Sequence, residues 1–221
     1  MIQKYYPIEI LHWSAMTDEG LKNIKDILSY HPEYINTLNS YRDNALIIAS
    51  RVGNVEIVKY LIENTEIDIH YANDEGNALI VALKNNKNNV IEYLLTTSID
   101  ISRADDEGKN ALYYAALHNS KFFEEIFNKG VNINELTLNN ENILFPLIEN
   151  YTRHENYYLF NFIIENMKVE NIFISNKQNL NILQYMDNLI QQAADKKEVF
   201  REQKLRKVFS PLKPILRSYA N

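Results

Sequence analysis

Residues 76–82 read Gly76-Asn77-Ala78-Leu79-Ile80-Val81-Ala82, and altered copies of this string flank it: Asp43-Asn44-Ala45-Leu46-Ile47-Ile48-Ala49 before it and Lys109-Asn110-Ala111-Leu112-Tyr113-Tyr114-Ala115 after it. The aligned leucines are 33 residues apart in both intervals. A period of this length marks one supersecondary unit repeated, because a unit so small cannot bury both of its faces alone and must stack on its neighbours. Weaker copies extend the register: Ile10-Leu11-His12-Trp13-Ser14-Ala15 ahead, then Asn142-Ile143-Leu144-Phe145 and Asn181-Ile182-Leu183-Gln184 behind, with leucine spacings of 35, 32 and 39.

Each copy continues into a second apolar pattern. In Val55-Glu56-Ile57-Val58-Lys59-Tyr60-Leu61-Ile62 the residues Val55, Val58 and Ile62 lie about one helical turn apart, which predicts a second helix. A short extended piece closes the copy, as in Ile67-Asp68-Ile69-His70, Ile99-Asp100-Ile101-Ser102 and Val131-Asn132-Ile133-Asn134. The unit is therefore a helix, a turn, a second helix and an extended connection.

This arrangement resembles the ankyrin repeat, whose pattern runs roughly D-x-x-G-x-T-P-L-H-x-A-A-x-x-G-x-x-x-I-V-x-x-L-L-x-x-G-A-D-V-N. Asp105-Asp106-Glu107-Gly108-Lys109-Asn110-Ala111-Leu112 carries the turn and helix start, and Ile57-Val58-Lys59-Tyr60-Leu61-Ile62-Glu63 carries the second helix. The resemblance implies an all-α repeat solenoid filling 1–221 as a single domain of about six repeats. Their expected bounds are 5–38, 39–71, 72–104, 105–136, 137–175 and 176–210, with atypical ends and a tail at 211–221. Asparagine takes the family's threonine position at Asn44, Asn77, Asn110, Asn142 and Asn181, where its oxygen can still accept from backbone N–H groups at the helix entrance. The family's histidine survives only at His12, so elsewhere its inter-repeat hydrogen bond is expected to give way to packing.

An insertion around residues 151–156 loosens the fifth copy before an apolar helix from Tyr157 to Met167. The last copy has a long first helix and a charged second one, Lys197 to Phe209, with Val199, Phe200, Leu205, Val208 and Phe209 as inward candidates. Pro211 and Pro214 predict that Leu212 to Asn221 is extended or mobile.

Composition narrows the function classes. The absence of cysteine removes disulfides, thiolate metal sites and thiol nucleophiles, and fits a reducing cytoplasm. The start has no signal-peptide pattern, and no segment approaches the ~18 apolar residues of a membrane span, so a soluble cytoplasmic chain is expected. Heavy use of asparagine, isoleucine, lysine and tyrosine points to an AT-rich genome. Residues 1–190 carry 15 basic and 26 acidic side chains, against 8 basic and 3 acidic in 191–221. An acidic body repels nucleic-acid phosphates and favours a partner protein with a basic surface.

No catalytic or cofactor motif stands out. The five glycines, Gly20, Gly53, Gly76, Gly108 and Gly130, are separated by long intervals, which excludes a phosphate-cradling loop. In Asp74-Glu75-Gly76 and Asp105-Asp106-Glu107-Gly108 the glycine is read as a positive-φ turn residue rather than part of a calcium loop. His12, His31, His70, His118 and His154 include no i, i+4 pair of the metal-binding kind. His12 is read as a hydrogen-bonded framework residue. No serine sits in a glycine-flanked elbow, and the paired acids are adjacent turn residues. No metal, cofactor or catalytic residue is therefore assigned.

The expected function is binding of another protein by a chain that is monomeric when free, with no nucleic acid and no membrane. In ankyrin-like proteins partners engage the turn tips and the concave inner-helix face. The matching positions here are Tyr41, Arg42, Arg51, Tyr71, Asn73, Glu75, Lys84, Asn85, Arg103, Asp105, Lys109, Leu117 and His118. These positions differ between copies while Ala78 and Leu79 match Ala111 and Leu112, as expected of a fixed scaffold with an adjustable surface. Fifteen tyrosines and nine phenylalanines exceed what a small solenoid interior hides, and tyrosine is enriched in binding hot spots. Two roles fit: an immunity- or antitoxin-like inhibitor of a toxic enzyme, or an effector delivered into a host cell to dock a host protein. The basic helix with Lys196, Lys197, Arg201, Lys204, Arg206 and Lys207 is read as a solvated cap.

Overall fold

The computed structural model describes residues 7–17, 19–118, 120–151 and 157–220, and these are mostly helical. The chain divides into two compact units, Met1–Asp106 and Glu107–Asn221, taken here in turn.

The first unit contains α1 (Pro7–Ser14), α2 (Gly20–Tyr30), α3 (Ala45–Val52), α4 (Val55–Asn64), α5 (Ala78–Lys84) and α6 (Asn88–Leu95). Each odd-numbered helix packs on the even-numbered helix that follows it; α3 packs on α1 and α5, and α4 on α2 and α6. Burial separates the two layers. Every residue from Ala45 to Ser50 and from Ala78 to Leu83 is buried, whereas α4 buries only Ile57, Val58 and Leu61. The inner helices are apolar nearly all round because neighbours cover them on several sides; the outer helices need only one apolar stripe.

The turn before α5 is a small antiparallel ladder, β1 (Ala72–Asn73) on β2 (Gly76–Asn77), with Asn73 opposite Gly76. Gly76 sits at φ 105°, and a Cβ there would lie 2.8 Å from the Ile80 side chain, so both conformation and space require glycine. Gly108 has φ 76°, again the turn role expected for it.

The second unit contains α7 (Ala111–His118), α8 (Phe123–Asn128), α9 (Leu144–Tyr151), α10 (Tyr157–Asn166), α11 (Val169–Ile172), α12 (Ile182–Asp195), α13 (Val199–Phe209) and α14 (Leu212–Ser218). Helix α9 packs on α7 and α12, and α13 packs on α12 and α14. Residues 152–156, in the predicted insertion, lie outside the described residues.

Two expectations for this end of the chain are corrected. The segment after Pro211 is a helix, not an extended tail, and it buries Leu212 and Leu216. Pro211 stands at its N-cap and Pro214 in its first turn, where the backbone N–H has no helical partner to lose. On α13, Leu205, Val208 and Phe209 are buried as predicted, but Val199 and Phe200 are exposed. At about 100° per residue Phe200 lies roughly 140° round the helix from Leu205, on the face turned away from the core.

The five asparagines cap as predicted. Asn44, Asn77, Asn110 and Asn181 accept from the N–H three residues on, at 2.9 to 3.1 Å, and Asn142 accepts from Leu144 N–H at 3.0 Å. Asn181 and Gln184 complete a reciprocal capping box. Three of these residues also use their amide N–H. Asn77 donates to the Asp100 carbonyl at 2.7 Å, Asn110 to Glu135 at 2.6 Å, and Asn142 to the Asn171 carbonyl. His12 makes the corresponding bond through its ring, Nε2 donating to the Thr37 carbonyl at 2.9 Å. At Asn77, Asn110 and Asn142, then, where the histidine is missing, a side-chain bond to the segment that closes the copy persists on the asparagine, whereas the amide of Asn44 is buried without a partner among the described residues and that copy relies on packing.

Leu46, Leu79 and Leu112 are equivalently buried, with at most 1% of their surface exposed. Leu112→Ala should cost about 2–5 kcal/mol in denaturant unfolding, the range for a buried leucine truncated to leave a cavity. An unchanged unfolding midpoint would contradict the register.

Candidate protein-binding surface

The turn tips owe their shape to a recurring local geometry. Asn39, Thr137 and Asn176 each place a side-chain oxygen where it accepts from the N–H groups two and four residues on, at 2.9 to 3.2 Å. Arg42, Asn140 and Asn179 follow at the same point of each turn with φ of 58° to 62°. Backbone bonds then link one tip to the next: Asp106 N–H to Asp74 carbonyl at 3.0 Å in the first unit, and Leu138 to Glu107 and Lys177 to Asn139, both 2.8 Å, in the second. The tips are held rigidly by their backbones, which leaves many of their side chains free to vary.

Most predicted contact residues of the first unit come together in one polar network. Arg51 donates through Nη2 to both oxygens of the buried Asp43 at 3.0 Å, and through Nη1 to Glu75. Burial opposes the Arg51 charge, but its bonds to Glu75 and Asp43 prevail and hold the guanidinium above its ordinary range. Asn73 donates to Asp43 at 2.5 Å and accepts from Glu75 N–H at 2.9 Å. Tyr71 donates its hydroxyl to the Arg42 carbonyl at 2.7 Å, and Arg42 reaches Asp74 at 3.1 Å. Lys84 bonds the Glu75 carbonyl and Asp105, both at 3.0 Å.

This network divides the candidates. Arg51, Asn73, Lys84 and the buried Asp105 tie turns to inner helices, so their first role is in the framework. Tyr41 is 80% exposed, and Arg103 and Asn85 are also exposed. Asn85 donates to the Val81 carbonyl at 2.8 Å at the end of α5. Tyr41, Arg51, Asn73 and Glu75, with Met16, line a groove of about 420 Å³ floored in part by Asp43.

In the second unit Lys109 pairs with Glu107 at 2.6 Å and lies 5.2 Å from the Tyr113 ring centroid. Tyr113 bonds Glu141 at 3.4 Å, and Tyr185 donates to Glu149 at 2.8 Å. Burial and then the Glu149 charge raise the Glu141 carboxyl above its usual range, against the pull of Lys109 and the Tyr113 bond. Leu117 and His118 are half-buried at the end of α7, with His118 stacked 6.3 Å from Tyr114. Among the described residues no group of histidines and carboxylates is placed to hold a metal ion, and no helix is long and apolar enough to cross a membrane.

Sequence reasoning missed several exposed apolar side chains, among them Trp13, Val199 and Phe200. Trp13 takes the position of Ile48, Val81 and Tyr114, which are all buried, yet it is 61% exposed. A tryptophan where other copies carry smaller residues was the available signal. Val199 and Phe200 were misread because adjacent apolar residues were counted inward without following the helical turn.

The family described as ankyrin repeats (3 copies) matches residues 11–105 and 67–137, together more than half of the sequence, and the chain belongs to the ankyrin-repeat family. Membership makes it a protein–protein interaction module. No curated protein matches it. Among solved structures, a chain in the complex of a predatory endopeptidase from Bdellovibrio bacteriovorus with an immunity protein is similar in fold. The identity is 22% and the TM-score 0.66, over 90% of this chain and 97% of that one.

Arg51→Ala should lower stability by about 1–3 kcal/mol, because it takes the cation from the buried Asp43 carboxylate and leaves its Oδ2 unmet, Oδ1 keeping Asn73. Tyr41→Ala should stay within about 0.5 kcal/mol of the parent, as expected for an exposed side chain. Equal urea midpoints for the two variants would contradict the division into framework and free surface.

Proposed function

We propose that the chain is a binder with no chemistry of its own, acting as an immunity- or antitoxin-like protein that occludes a toxic enzyme. The observation that carries this reading is the contrast within each copy. Asparagine caps and buried leucines repeat, while the tips they hold present different side chains, among them the exposed Tyr41 and Arg103. A scaffold that keeps its framework and varies its surface suits recognition. The similar fold in a complex of an endopeptidase with an immunity protein supports the choice of an enzyme as partner.

Binding runs through the turn tips and the ends of the inner helices, with Tyr41 and Arg103 as the anchors of the first unit. The partner presents a basic surface to the acidic body, and the free chain is a monomer in the cytoplasm. Exposed tyrosine and arginine supply most interface energy when they become fully covered.

The test is affinity capture from the native cell, followed by titration of the captured enzyme with purified chain. Its activity should fall to a plateau at one chain per enzyme. Tyr41→Ala combined with Arg103→Ala should weaken inhibition by about tenfold or more with an unchanged melting temperature. An enzyme that binds yet keeps full activity would remove the inhibitor reading, and undiminished binding by the double variant would remove the site.

A further inference from the structure

We propose that the second unit carries an additional docking surface at the start of α13, which receives a partner protein segment bearing an apolar side chain flanked by carboxylates. The proposal stands apart from the turn-tip site above and uses none of its residues.

Phe200 is 90% exposed and Val199 56%, both in the first turn of α13. Leaving a phenylalanine in water forgoes the favourable burial that Leu205, Val208 and Phe209 obtain on the same helix, so packing does not account for it. Phe200 borders a groove of about 550 Å³ that Tyr185, Leu189 and Leu205 also line. Tyr185, Leu189, Leu205 and the exposed Phe200 give the groove an apolar side that fits a side chain from outside, and Glu149, Arg201 and Lys204 complete its lining.

Charge selects the rest of the occupant. Arg201 and Arg206 are committed to Glu198 and Glu202 at 2.9 and 2.8 Å. Lys196, Lys197, Lys204 and Lys207 are exposed and have no acidic partner among the described residues, and Lys204 lines the groove itself. Glu149 lines it too, already accepting from Tyr185, so an occupant's carboxylates are drawn to the lysines and not into the groove. Opposite charge around an apolar anchor gives both encounter and register.

Other occupants fit less well. A bilayer would gain only Val199 and Phe200 as inserting groups, too little apolar area for stable attachment even with basic neighbours. Nucleic acid requires a broader basic field than one helix offers on a chain whose residues 1–190 are net acidic. A second copy docking its acidic part here would form a head-to-tail contact, without the self-complementary two-fold arrangement that most dimers use.

The test uses the full chain and a fluorescein-labelled peptide in which one phenylalanine and two leucines are set among aspartates and glutamates. Anisotropy should rise to saturation. Phe200→Ala and Lys204→Glu should each weaken binding by about tenfold. Replacing the apolar residues of the peptide by serine should abolish binding, and Tyr41→Ala should leave it unchanged. Thermal unfolding of Phe200→Ala should match the parent, since the ring is exposed. Four results would overturn the proposal: no saturable binding by the parent chain, binding by both α13 variants as tight as the parent's, Phe200-dependent attachment to phosphatidylserine vesicles without peptide binding, or Phe200-dependent self-association in sedimentation velocity.

Discussion

The asparagine at the entrance of an inner helix makes two kinds of bond with one side chain. Its oxygen caps the helix, and in Asn77, Asn110 and Asn142 its amide N–H reaches the segment that closes the copy, a loop for the first two and α11 for the third. The first bond fixes where the helix begins and the second fixes where the chain returns. Asn54 does the same at an outer helix, accepting from Ile57 N–H and donating to the Thr17 carbonyl. Asn36 bridges to the loop of the following copy through Glu66 and Asp68. An amide is suited to this because it presents donor and acceptor on opposite sides of one planar group.

With helix starts and loop returns fixed, the inner helices can be buried almost completely, and the polar groups at their ends must be satisfied by one another. That requirement produces the Asp43, Arg51, Asn73 and Glu75 network, and the pairing of Lys84 with buried Asp105. Charged residues at the base of the tips are consequently drawn into the framework. What remains for a partner is Tyr41, Arg103 and the neighbouring exposed side chains, held on a backbone that its own hydrogen bonds make rigid.

The repeat was legible in the sequence because the buried positions return at a fixed interval, so Leu46, Leu79 and Leu112 announced their own burial. Positive φ at Gly76 and Gly108 and the asparagine caps were legible because each depends on local chemistry, and the His12 bond, which spans 25 residues, because His12 stands at the family's histidine position. Abundant asparagine, read in general as a codon effect, proved to be structural at Asn36 and Asn54 as well, and at Asn77 and Asn142 the expected cap carried an amide bond that the sequence did not announce. The candidate surface was only half legible. Arg51 and Asp105 look like any tip residue until the turns that enclose them are in place, since their partners Glu75 and Lys84 lie 24 and 21 residues away. Phe200 was misplaced because its orientation depends on helical phase and not on its apolarity.

The most direct test of this account separates the two bonds of the asparagine. Threonine retains the cap acceptor but cannot reach the distant carbonyl. Asn77→Thr should therefore lose about 0.5–1.5 kcal/mol in urea unfolding, the net contribution of one part-buried hydrogen bond. Asn181 has a cap and no amide bond to a closing segment among the described residues, so Asn181→Thr should lose only a few tenths of a kcal/mol, as for exchange between good cap residues. Equal losses at the two positions would show that the amide bond contributes nothing beyond capping, and would contradict the account.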